Sequence, residues 1–372
     1  MRQLLIGLAF ACASAMGQTP EFNWISPSEP RLEIDGLPWH AENGGEWFRL
    51  PVRLKDGLPK AVWDLGQSPS GGRIRFRTDS SRIAIRLEYG SPPNMRNMHA
   101  FGQTGVDLYV DGAYRGTATA AADSRTGSPV EHVYFDAKAA SHVDHEVTLY
   151  LPLYKPAKVL GIGVEKGSSL SPALPFTIAK PVVFYGTSIT QGGCASRAGM
   201  SYQAILGRML GIDFVNLGFS GNGRGEPEVA RMVAEIDAAC FVLDFAQNNK
   251  TAESLREVYE PFMKILREKH PSTPMLAITP IASASERAAE AGARLEAMRE
   301  LIRTAVARRI AGGDRRLQLV EGTDLLGPDR LDGLVDGTHP NDLGFRWMAE
   351  GLAPRLKKML EQPEAQPAAN PK

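Results

Sequence analysis

Cysteine is scarce in this sequence: three residues in 372, at positions 12, 194 and 240. So few thiols cannot form a disulfide scaffold, although a single bridge between Cys194 and Cys240 stays open. A surplus of either charge is missing too, since Lys plus Arg and Asp plus Glu number 42 each. That balance gives no basic footprint for nucleic acid or an anionic membrane. Beyond the N-terminal stretch, no apolar run reaches the roughly 18 residues that span a bilayer. No internal repeat occurs. A phosphate cradle is absent as well: after Gly192-Gly193 come Cys194 and Ala195, where a P-loop carries Lys and then Ser or Thr. "SGNGRG" is no G-x-G-x-x-G fingerprint behind a first strand, so a dinucleotide site is excluded with it.

What is present starts with "MRQLLIGLAFACASAMG". Arg2, the apolar run Leu4 to Ala15 and the small residues Ala13-Ser14-Ala15 follow the order of a signal peptide. Residues 1–17 are therefore expected to direct export, to the periplasm or the exterior. "AFAC" lacks the Leu three residues before Cys12 that a lipid anchor uses, so anchoring is the lesser alternative. Hydrophobic residues at 43% and charged residues at 23% predict a folded core, and the length suits two domains.

The two halves differ in period. Over residues 22–175 short segments alternate, as in "RIRFRTD", "RIAIRLEY" and "VDLYVDG", with turn residues between them. This predicts an antiparallel β-sandwich domain, closed by a Ser-, Pro- and Gly-rich linker, "EKGSSLSPALPF". Over 178–361 continuous apolar runs such as "PVVFYG" and "ACFVLDFA" alternate with helical stretches. That predicts a parallel sheet with helices on both faces and a ligand site beyond the strands' carboxyl ends. The tail 362–372, rich in Pro, Ala and Gln, is expected to be disordered.

The strand-ending loops hold the chemistry. The first ends at Gly186-Thr187-Ser188, the second in "NLGFSGNG", the third in "DFAQNN", and the last crossover leads into "DGLVDGTHPND". In a parallel sheet these loops share one edge. Serine needs a base within reach, and His339 can take its proton. Asp336, three residues earlier, can hold the imidazole in the right tautomer. Backbone N–H groups at Ser188 and Gly221, with the Asn248 carboxamide, can stabilise an oxyanion. The lipase-type elbow G-x-S-x-G is not matched, because Thr190 takes the second glycine's place.

This pattern resembles the SGNH/GDSL hydrolase superfamily across about residues 178–360, with "DGTHP" its most specific piece. The resemblance implies a flavodoxin-like three-layer α/β/α fold without metal or organic cofactor. It implies Ser188 as nucleophile, Gly221 and Asn248 as oxyanion donors, His339 as base and Asp336 as its orienter. Thr187 stands where the family usually has aspartate. Ala246 and Asn249 replace its Gly and Asp in the third block, so Asn248 is chosen over a neighbouring Asn249. "GVDLYVDG" is similar to the G-x-D-L-Y β domain that precedes a subset of these hydrolases. By analogy with that subset, the expected partner is an acylated, chiefly O-acetylated, carbohydrate or another small ester. Acyl transfer through the same residues is the enzymatic rival, and a silent carbohydrate-binding scaffold is the rival from another class.

Several residues carry a blander reading. Arg197 and Arg224 could hold a substrate's hydroxyls or carboxylate, or simply form salt bridges. His142, Asp144 and His145 invite a metal, but strand alternation puts the two histidines on opposite faces. Trp24, Trp39, Trp47 and Trp63 could stack on sugars, although core packing comes first. Nothing in the sequence fixes an oligomeric state.

Overall fold

The computed structural model describes residues 22–119, 126–134 and 143–361. The leader at 1–17, the tail at 362–372 and His142 lie outside the described residues. In the C-terminal half five strands, Val182–Gly186, Phe214–Gly218, Cys240–Asp244, Met275–Ile278 and Leu317–Val320, form one sheet. Every pairing is parallel and the order is second-first-third-fourth-fifth. The first strand shows why the run is apolar throughout. Val183 and Tyr185 enter one core with the helices Pro227–Val233, Ala252–Lys269 and Ala289–Ala311. Val182 and Phe184 enter the opposite core with Tyr202–Leu210 and Asp342–Leu360. Both faces of each strand are covered, so no polar alternation is tolerated. The expected α/β/α layering is observed. No helix among the described residues is long and apolar enough to cross a membrane.

The N-terminal half is an antiparallel sandwich. Phe22–Ile25, Ala157–Glu165, Ile83–Tyr89 and Pro129–Val133 make one sheet, and Glu33–Asp35, Arg73–Thr78, His145–Tyr150, Val106–Val110 and Ala113–Ala118 the other. Ile74, Phe76, Ile85, Leu108, Leu149 and Ile162 fill the space between them. Alternation leads one to expect a wetted outer face, but Arg73, Arg75 and Asp107 are buried. The five-stranded sheet lays this face against the C-terminal half. There Arg73 pairs with Asp213 and stacks on the Phe214 ring at 3.9 Å.

Two short helices in this half, Lys60–Gly66 and Ala100–Thr104, carry no long apolar period and were not expected. Val62 and Trp63 of the first, with Trp39 and Leu50, belong to the same core as Val183 and Phe219. Trp39, Trp47 and Trp63 are thus packed inside. The segment read as a linker is fastened: Ser171 exchanges two backbone hydrogen bonds with Arg77, and Phe176 lies under the Arg75 guanidinium at 3.6 Å. Cys194 and Cys240 are both free and buried.

Candidate active site

The first parallel strand ends at Gly186, and one helical turn, Ser188–Gln191, begins directly after Thr187. The Thr187 side chain caps that turn by accepting from the Ile189 amide. Gly192, left-handed at φ 100°, ends it. Ser188 is therefore the first helical residue, whose N–H has no acceptor within the helix. Its Oγ lies 2.8 Å from His339 Nε2.

His339 comes from a loop closed by the Val335 amide donating to its carbonyl at 2.8 Å. Asp336 is held inside that loop. Its Oδ1 accepts from the amides of Thr338 at 3.1 Å and His339 at 2.9 Å. Its Oδ2 lies 2.8 Å from His339 Nδ1 and accepts from Asn97 Nδ2, also at 2.8 Å. A carboxylate at Nδ1 keeps the proton there and leaves Nε2 free to accept from the serine. Burial alone would push the Asp336 carboxyl up. The His339 amide, the Asn97 carboxamide and the His339 ring outweigh it and hold the group well below the usual carboxylate range.

The second loop lies against the first. Phe219 N–H donates to Gly186 O at 3.0 Å, and Ser220 N–H to Gln191 Oε1 at 2.9 Å. Gly223 permits this approach, since a Cβ there would stand 1.9 Å from Gly186 O. Gly221 has φ +68° and faces open space. A side chain there would be strained by the backbone, not by its neighbours. From the third loop, Asn248 Nδ2 donates to Phe219 O at 3.1 Å and Gly223 O at 3.3 Å. The buried Asn249 instead reaches Arg224 O at 3.3 Å. Of the two carboxamides, that of Asn248 is the one fastened to both sides of Gly221. Beneath these loops Asp244 is buried, and Thr190 and Tyr202 donate hydroxyls to it. Burial pushes its carboxyl up to about 7 against the pull of those two hydroxyls.

Arg197 does not turn to this cluster. Its Nη1 meets the buried Asp107 at 2.9 Å and the Tyr109 hydroxyl at 2.6 Å, and its guanidinium stacks on Tyr114 at 3.7 Å. It joins the two halves through the Asp and Tyr of the G-x-D-L-Y segment. Arg224 stays exposed beside the second loop, with Nε donating to Gly221 O at 3.1 Å. His145 pairs with Asp111.

Cys194 holds a left-handed backbone at φ +73°, and its sulfur, Asp336 and His339 offer ligand atoms within 4.8 Å of one another. That set suits a metal poorly. Both ring nitrogens are engaged by Ser188 and Asp336, and burial, then the Asp336 charge, pushes the thiol up to about 12.

Two site residues come from the N-terminal half and escaped the sequence reading. Asn97 reaches Asp336 across 239 positions of sequence. The Tyr154 hydroxyl lies 3.4 Å from Ser188 O. Neither sits in a motif, and only the docking of the sandwich brings them here.

Comparison with known proteins agrees with this architecture. The GDSL-like lipase/acylhydrolase family profile matches residues 179–357, and a profile for the N-terminus of SGNH-hydro-type esterases matches 22–170. A solved structure from Bacteroides ovatus, described as a GDSL-like lipase, is 33% identical with a TM-score of 0.81, covering 92% of this chain and 98% of its own. The salicylyl-acyltransferase of a tetracycline biosynthetic pathway is 22% identical with a TM-score of 0.76, covering 92% and 99%. A family two carbohydrate esterase from Clostridium thermocellum, solved with cellohexaose, is 18% identical with a TM-score of 0.59, covering 78% and 93%. The last two share the fold. No curated protein matches the chain.

Proposed function

This chain belongs to the GDSL-like lipase/acylhydrolase family and is an ester-hydrolysing enzyme, and we propose that Ser188, His339 and Asp336 are its catalytic triad. The observation that carries this reading is the unbroken hydrogen-bond line from Ser188 Oγ through His339 to Asp336, with 2.8 Å at each step.

In the proposed cycle His339 Nε2 takes the serine proton as Oγ attacks the ester carbonyl. The carbonyl electron pair moves onto oxygen, where the N–H groups of Ser188 and Gly221 receive it; the Asn248 carboxamide joins them by giving up one of its two bonds to Phe219 O and Gly223 O. Collapse expels the alcohol, which leaves with the proton held by His339. Water then repeats the sequence and releases the acid. Asp336 stays ionised and stabilises the imidazolium.

The substrate we infer is an O-acyl ester, chiefly O-acetyl, on a carbohydrate. The shared architecture with a family two carbohydrate esterase supports it. Arg224, beside Gly221, is the side chain we assign to a substrate hydroxyl or carboxylate. Export through residues 1–17 belongs to the same reading. Acyl transfer is the second reading, favoured by the fold shared with a salicylyl-acyltransferase. Product analysis with an added acceptor alcohol separates the two. The test of the triad is Ser188→Ala on an aryl acetate: a loss of roughly four to six orders of magnitude in kcat is expected. A rate equal to wild type removes the mechanism.

A further inference from the structure

The N-terminal sandwich has a polar side chain in contact with the triad. Asp336 Oδ2 is shared between two donors at equal distance, His339 Nδ1 and Asn97 Nδ2, both at 2.8 Å. Without Asn97, that oxygen would have water as its second partner, because the Asp336 side chain is 31% exposed.

Asn97 is not a loose rim residue. Its loop is organised by Gln103, which is 2% exposed. Gln103 Oε1 accepts from the Asn94 and Met95 amides at 2.8 and 3.0 Å. Its Nε2 donates to Met95 O at 3.1 Å and Met98 O at 2.6 Å. All four hydrogen-bonding positions of one carboxamide are spent on this loop. Next to Asn97, Met98 is buried in the core that also holds Ile189 and Phe184, the packing under the nucleophile's turn. A fixed loop thus aims a neutral donor at the acid of the triad.

We propose that Asn97 is a positioning residue for the Ser188–His339–Asp336 unit, so that the catalytic site is complete only with the N-terminal half docked. This rests on the triad reading above. The carboxamide fixes the rotamer of Asp336, and by sharing Oδ2 it moderates the negative charge that the imidazole feels. Among the described residues, Cys194 offers its sulfur within 4.8 Å of the pair and Tyr154 lies against Ser188 O. Burial pushes both upward, the thiol to about 12, so both stay neutral through an ordinary assay range.

The test uses the full chain with an aryl acetate, and reads kcat, KM and the acid limb of the pH profile. Asn97→Ala is expected to lower kcat roughly ten- to hundredfold, the worth of a hydrogen bond to a charged group, with KM little changed. Its acid limb moves to higher pH, because an unmoderated Asp336 holds the protonated ring more firmly. Asn97→Asp adds a second carboxylate and moves the limb further, by about one unit or more. Thermal melting of both variants and Ser188→Ala accompany the assay. Three results overturn the proposal: an unmoved limb with unchanged kcat, a rise in KM alone, or a fall in melting temperature with kcat and limb intact. If Ser188→Ala keeps wild-type activity, the triad reading falls and this one with it. If Ser188→Ala is inactive while the Asn97 variants behave as wild type, only this proposal falls.

Discussion

The outer face of the five-stranded antiparallel sheet and the carboxyl edge of the parallel sheet both gather polar side chains, yet to different ends. At the parallel edge, Ser188, His339 and Asp336 face one another in a hydrogen-bonded line. On the antiparallel face Arg73 and Asp107, and in the loop beside it Arg49, point at the other half of the molecule and are consumed by it. A half-exposed acid marks chemistry in the first case and buried charge marks joinery in the second. The difference lies in the partners. The joining groups spend their donors on backbone carbonyls and single counter-ions, whereas the triad forms a chain with a free end.

Arg49 gives that contrast its hardest test. It is fully buried, and its guanidinium donates to Ser68 O, Asn216 O, Gly218 O and Leu65 O. Two of those carbonyls end the strand that leads into the Gly221 turn. Arg49→Ala leaves four acceptors without their donor and opens a large void. We expect a loss of about 4 kcal/mol in denaturant unfolding, with activity falling in step with the folded fraction. A variant that unfolds at the wild-type midpoint would show that the halves are not joined through this residue. The Asp107–Arg197 pair comes next. Asp107→Asn keeps the shape but removes the charge opposite a mostly buried guanidinium, at an expected cost of about 2 kcal/mol with the acid limb of activity unmoved. A displaced limb would return Arg197 to the catalytic side of the comparison.

The same division governs what the sequence made legible. The five parallel strands and their helices were visible because the strands are apolar runs and the longer helices carry clear signals, as in Ala252–Lys269 with its Thr251 cap. The proposed triad was legible because Asp336 and His339 lie on one turn and Ser188 follows a strand end. The sandwich was visible as alternation, but which face met water was not. Arg73 looks like a solvent-facing residue until the second half covers it, and Arg75 until Leu174 and Phe176 of the connecting segment do. Asn97 was beyond reach for the same reason, since its partner is set by docking rather than by spacing. Arg197, near the first loop in sequence, is taken up by Asp107 of the other half, which spacing does not reveal.

Asp244 sharpens the comparison from below the active site, as a buried acid without a counter-ion among its hydrogen-bond partners. Burial pushes its native carboxyl up to about 7, against 3.8 for a free side chain. Between those values the unfolded chain has released the proton and the native chain has kept it. Native stability therefore falls as pH rises through this window, with a ceiling of about 1.4 kcal/mol per unit. Asp244→Asn should flatten that part of the profile, measured as unfolding midpoints from pH 4 to 8. An unchanged slope would place the proton elsewhere. Asp336 acts with the opposite sign: its depressed native value contributes stability that is lost as pH falls below the ordinary carboxylate range.

The smallest expected effect belongs to Arg224, where the two kinds of charged residue meet. One nitrogen, Nε, is spent on Gly221 O at 3.1 Å, as a joining residue would spend it, while the side chain remains exposed, as a binding residue would be. If the free end of the guanidinium holds a substrate hydroxyl or carboxylate, Arg224→Ala raises KM several-fold, about 1 kcal/mol, and leaves kcat nearly unchanged. Arg224→Lys should then recover part of the loss, because a point charge replaces the fork. If the residue only steadies the turn, kcat falls instead, because Gly221 N–H moves with its own carbonyl. An acetylated neutral sugar and an acetylated uronic acid, assayed side by side, sharpen the result: a penalty confined to the acidic substrate assigns Arg224 to a carboxylate, and an equal penalty on both assigns it to a hydroxyl.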